Sequence, residues 1–127
     1  MPVPPTDPPV RFTVSFHDRP GDPHFDLFVE QPGADGLATW NLPAAPDGLA
    51  PGGEMPARRI FDHRPIYLEF EGELSGGRGT VRIADSGTCR CRERSADRVV
   101  LELHGRSSAG VFELIETPAG GRLRRLA

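Results

Sequence analysis

The sequence predicts an all-β domain, a small closed or partly open β-barrel of about eight strands with little or no helix. Three observations predict it. Apolar and polar residues alternate with period two in several short runs, and clusters of Gly, Pro, Asp and Ser separate the runs at the spacing of turns. No stretch of ten residues carries a helical repeat. At 127 residues the chain reads as one domain, long enough for an ordinary core without a disulfide or metal staple. Seven Phe, one Trp and one Tyr supply its bulk.

Residues 1–10 hold five prolines and read as a flexible, polyproline-like lead-in to a domain spanning 11–117. In the run 11–17, Phe12, Val14 and Phe16 share one face, leaving Thr13, Ser15 and His17 on the other. The run 24–30 returns with Phe25, Leu27 and Val29 on one side and His24, Asp26, Phe28 and Glu30 opposite. The Pro/Gly/Asp cluster between the runs, 18–23, reads as a hairpin loop. A short third strand at 37–42 stops at Pro43 and places Trp40 in the core or in a site wall.

Residues 44–56 are mostly Pro, Gly and Ala, and a loop of that length in a compact domain is functional or disordered. At 66–73, Tyr67, Glu69 and Glu71 alternate with Leu68 and Phe70, which predicts a strand. Further strands are expected at 80–84, around Cys89 and Cys91, at 99–104 and at 111–116. Turns at 85–88 and 105–110 and a charged connector at 93–98 separate them. Residues 118–127 read as a short, basic, solvated tail.

Composition narrows the function classes. A net charge of −3 argues against gripping nucleic acid through overall charge and leaves a local patch open. All fifteen basic residues are arginine, so a covalent lysyl intermediate is excluded. No segment approaches the ~20 apolar residues of a membrane span. The first residues also lack a signal-peptide pattern, so no membrane partner and a cytoplasmic location are expected. Cys89 and Cys91, two positions apart on one strand face, are expected as reduced, buried or half-buried thiols, because strain opposes a bridge between them.

The chemistry-bearing residues sit at the first hairpin. If its loop closes symmetrically, His17 faces His24 at roughly 5 Å between Cβ atoms, with Asp26 a diagonal neighbour about 7 Å away. Two neutral imidazoles and a carboxylate suit a transition ion such as Mn, Fe or Zn. A hairpin with polar residues on its solvent face has the same spacing, and a slip of one residue would dissolve the cluster. A further arrangement, His24-x-Asp26 with His104, has the composition of an iron oxygenase triad and leaves His17 idle.

Ordered motifs run through most of the chain. They are residues 12–30 with the His…His-Phe-Asp core, Thr39-Trp-Asn-Leu-Pro43, and Asp62-His-Arg-Pro-Ile-Tyr67 leading to Phe70-Glu-Gly72. Gly79-Thr-Val, Asp85-Ser-Gly-Thr88, Leu103-His-Gly105 and Gly110-Val-Phe-Glu-Leu114 follow. Together they resemble the 3′-phosphoesterase domain found at the N-terminus of bacterial DNA ligase D and as freestanding proteins. The resemblance implies a β-barrel enzyme that uses Mn²⁺ to remove 3′-phosphates and 3′-ribonucleotides from nucleic-acid ends in DNA repair, beside a separate ligase or polymerase. It places the metal ligands on His17, His24 and Asp26, and the pair that contacts the scissile phosphate on His63 and Tyr67.

This chain departs from the family at the phosphate clamp. Phe28 stands where the family has an arginine, Ala44 where it has a lysine, Ser15 where it has a glutamine and Met55 at the register of a second arginine. The N-terminal Arg-Asp segment has no counterpart. Arg58, Arg59 and Arg64 flank His63 and are the candidate replacements. The alternative reading is a catalytically weakened, metal-bearing module that binds nucleic-acid ends or repair partners.

Overall fold

The computed structural model describes residues 8–127, so most of the lead-in, residues 1–7, lies outside the described residues. The chain is all-β. Its strands are β1 (Val10–Asp18), β2 (His24–Val29), β3 (Leu37–Leu42), β4 (Glu54–Pro56), β5 (Arg58–His63) and β6 (Gly72–Glu73), followed by β7 (Thr80–Arg94), β8 (Arg98–Gly105), β9 (Ala109–Thr117) and β10 (Gly120–Arg125). Among the described residues three short 3₁₀ turns, Pro46–Gly48, Pro65–Leu68 and Ser75–Gly77, complete the order.

All strands join one antiparallel sheet in the order β4-β10-β9-β8-β7-β1-β2-β3-β5, with β6 paired to β7. The sheet is not closed into a barrel, so the partly open form is the one found. Its two outermost strands, β4 and β5, are consecutive in the chain with only Ala57 between them. The sheet therefore curls until its edges meet at one residue, where the Ala57 N–H bonds to Gly121 O at 3.0 Å.

The alternating apolar faces meet inside this curl. Phe12, Val14, Leu27, Val29, Trp40, Leu42, Leu101, Leu103, Phe112 and Leu114 form the main core. Each such side chain, fully buried, contributes about 1.5–3 kcal/mol. Trp40 is a core residue, with the Arg59 guanidinium 5.0 Å above its ring. A second, smaller cluster of Phe28, Leu37 and Leu68, with Tyr67 packed on it, forms separately.

Several expected boundaries shift. The strand predicted at 66–73 is instead a 3₁₀ turn, and only Gly72–Glu73 pairs as a strand. Pro65 occupies the first helical position with Arg64 extended before it. The N–H groups of Tyr67 and Glu69 then bond to Arg64 O and Ile66 O. The preceding residues, Arg58–His63, form the strand.

Residues 85–88 are no turn. β7 runs through them for fifteen residues, with a register shift against β1 opposite Val14 and Ser15. The Asp85 carboxylate receives the N–H groups of Ser86, Ser107 and Ser108 at 2.8, 3.0 and 2.7 Å. The charged connector shrinks to three residues, because Glu93 and Arg94 stay in β7 and Arg98 opens β8. Arg98 bonds to Glu93 and Glu113. The supposed tail is β10, paired with β9 and β4 around a fully buried Leu123. The 44–56 loop ends in β4, where Met55 is buried.

Candidate metal centre and its aromatic wall

The site stands on the face of β1 and β2 opposite the main core. The hairpin closes with His17 opposite His24, Ser15 opposite Asp26 and Thr13 opposite Phe28. Cross-strand partners share a face, so these six side chains form three adjacent rows. The two imidazoles lie 4.9 Å apart, edge to face. One ligand atom from each of His17, His24 and Asp26 lies within 4.8 Å of the other two, and His24 Nε2 is 3.4 Å from Asp26 Oδ1.

Backbone carbonyls set the histidine tautomers. His17 Nε2 donates to Arg78 O and His24 Nδ1 donates to Asp22 O, each at 2.8 Å. A carbonyl only accepts, so in the neutral rings His17 Nδ1 and His24 Nε2 keep the lone pairs. Metal-binding histidines are commonly held in this way by their other nitrogen. The Arg78 carbonyl is delivered by Gly79, whose φ of +88° is left-handed and whose Cβ, if it had one, would collide with the Asp18 carbonyl oxygen.

Asp26 is buried, and that burial raises its carboxyl pKa above the ordinary range, against the opposing pull of His24, His63 and His17. Opposite it, the buried Ser15 hydroxyl has no hydrogen-bond partner among the described residues. Two imidazole lone pairs, a dehydrated carboxylate and an orphaned hydroxyl fit a divalent transition ion, whose charge would offset the cost of burying Asp26.

The Asp26 row continues across the sheet through Asn41 on β3 to Arg58 on β5. With the Asn41 amide assigned to satisfy both neighbours, its nitrogen donates to Asp26 Oδ1 at 2.6 Å and its oxygen accepts from Arg58 at 3.0 Å. Sequence reasoning missed Asn41 because its role depends on the pairing of β3 with both neighbours. Its one sequence signal was that, in the strand 37–42, it alternates with Trp40 and Leu42 and so shares a face with Thr39 rather than with the core.

His63 and Tyr67 close over the same face. The Thr13 hydroxyl donates to Leu68 O at 2.7 Å and ties the Pro65–Leu68 turn down. Tyr67 stacks on Phe28 at 5.8 Å, and the His63 ring lies 5.3 Å from Phe28 and 5.6 Å from Tyr67. His63 Nδ1 donates to Phe61 O at 3.0 Å. A cavity of about 70 Å³ is lined by His17, Asp26, Phe28, His63, Tyr67 and Arg78, among others. His24 is not among its lining residues and lines a separate groove instead.

The three flanking arginines have different fates. Arg59 bonds to Asp62 at 2.9 Å and to the carbonyls of Thr39 and Ile60. Gln31 and Arg59 together hold the Asp62 carboxyl below its usual range. Arg64 lies over Tyr67 at 5.9 Å, and Arg58 rests on Asn41. His104 does not join the trio: it is on β8, beyond β7 and β1 from β2, and bonds to Glu102 at 2.8 Å.

The arrangement is a candidate two-histidine, one-carboxylate metal centre beside a histidine–tyrosine pair, on the outer face of an antiparallel sheet. No protein-family model matches the chain, and no curated protein matches it. Among the described residues no helix is long and apolar enough to cross a membrane.

Proposed function

We propose that the protein is a metal-dependent phosphoesterase that removes a 3′-phosphate or 3′-ribonucleotide from nucleic-acid ends, in the manner of the ligase D domain it resembles, with Mn²⁺ as its ion. The observation that carries this reading is the convergence of His17 and Asp26 with His63 and Tyr67 around one small cavity, with His24 completing the donor set. When bound, a divalent ion polarises a phosphoryl oxygen and lowers the pKa of coordinated water towards neutrality. His17, His24 and Asp26 would hold it.

His63, with Nδ1 engaged by Phe61, exchanges a proton with the leaving oxygen through Nε2. The Tyr67 hydroxyl donates to a non-bridging oxygen. Phe28 supports the alternative of a weakened, end-binding module, because it is buried against Tyr67 where a charged clamp would stand. Each missing charge-assisted contact costs about 1.5–3 kcal/mol.

The test is phosphate release from a 3′-phosphoryl primer–template with Mn²⁺. Wild type should turn over many equivalents, His24→Ala none, and His63→Ala about 10²–10⁴-fold fewer per unit time. Binding of the primer end without release in the wild type would reject catalysis and favour the module.

A further inference from the structure

The cavity beside the trio, about 70 Å³, is far below the ~300–1,000 Å³ of sites that enclose a whole small ligand. It has room for a phosphate-sized group and none for the nucleoside attached to it. The groove on the other side of His24 measures about 770 Å³, which falls inside that range. It lies along the seam where β4 passes into β5 and the β9–β10 turn comes alongside.

Its walls combine rigid apolar surface with cationic groups. Pro23, Pro43 and Pro56 supply the first, Arg58 and Arg122 the second, and Asp22 is the one carboxylate among the described lining residues. Arg58 is pre-oriented by its 3.0 Å contact to Asn41. Arg122 reaches from β10 to Glu54 at 3.1 Å and keeps half of its side chain exposed. Asp22 is itself 3.9 Å from Arg19.

We infer that this groove holds the single-stranded nucleic acid leading up to the scissile phosphoester, with its phosphodiesters facing Arg58 and Arg122 and its sugars and bases against the three prolines. Guanidinium groups match phosphate in geometry and charge, and an apolar proline wall removes sugar and base surface from water without reading a base edge. The inference rests on the phosphoesterase reading, which brings the terminal phosphoester to the trio.

The test uses a 5′-fluorescein deoxytrinucleotide with a 3′-hydroxyl, which carries neither a 3′-phosphate nor a 3′-ribonucleotide and is not turned over, and reads its fluorescence anisotropy with Mn²⁺ present across a salt series. Wild type should bind, and Arg58→Ala and Arg122→Ala should each weaken binding about tenfold or more. Each should also lower the slope of log affinity against log salt by about 0.7, the single-strand figure per phosphate contact. Arg122→Ala leaves the Asp26 row untouched, and unfolding midpoints verify that both variants fold.

Unchanged affinity and slope in both variants, or no binding by wild type, would overturn the groove. Phosphate release from the 3′-phosphoryl form alongside unchanged trinucleotide binding overturns the groove alone. Arginine-dependent binding with no release in any metal overturns the phosphoesterase reading and leaves the groove standing.

Discussion

Asp26 Oδ1 accepts from the Asn41 amide at 2.6 Å and lies 3.4 Å from His24 Nε2, so the amide fixes the carboxylate beside the imidazole. Asn41 therefore acts as a positioning residue. Asn41→Ala should weaken Mn²⁺ affinity by about 10–100-fold, the usual effect of removing a ligand's supporting partner, as read by calorimetric titration. The two cysteines make a second residue-level test. Burial, with smaller contributions from Cys91 and Glu30, pushes the Cys89 thiol up from 9.0 to about 12, while Cys91 is only half-buried and bonds to Glu93 O. At pH 8 one thiol per native chain, Cys91, should react with a thiol reagent, and both after denaturation. The sign of the linkage follows. Between 9.0 and about 12 the folded chain keeps a Cys89 proton that the unfolded chain loses, so stability falls as pH rises through that window.

At the scale of elements, what was legible depended on how local the cause was. The β1–β2 hairpin was legible because two alternating runs flank a Pro/Gly/Asp loop, and its symmetric closure sets the His17–His24 register. The strand expected at 66–73 failed because alternation of Leu68 and Phe70 with glutamates also fits a 3₁₀ turn with one buried side, and Pro65 and the distant Thr13 hydroxyl decide for the turn. β10 was illegible for a different reason. Its glycines and arginines look like a tail, and only Leu123 is apolar at its centre, opposite Leu114 on β9 and Met55 on β4. Leu123→Ala should cost about 2–5 kcal/mol in chemical denaturation, as a large-to-small change in a core. A solvated tail would lose almost nothing.

For the whole molecule, the curled sheet explains why one chain carries two unlike surfaces. Its concave side is the apolar core, while the outer face of β1, β2, β3 and β5 carries the row that runs from Ser15 through Asp26 and Asn41 to Arg58. The trio was legible in sequence because it lies within one hairpin. The cavity was not, because His63 and Tyr67 arrive from β5 and the following turn, and the groove exists only where the two sheet edges meet at Ala57. The most direct test of the account is a calorimetric Mn²⁺ titration of wild type, His24→Ala and His63→Ala. The account predicts one ion per chain in wild type and in His63→Ala, and none in His24→Ala. Absence of binding in wild type, or binding that survives His24→Ala undiminished, would contradict it.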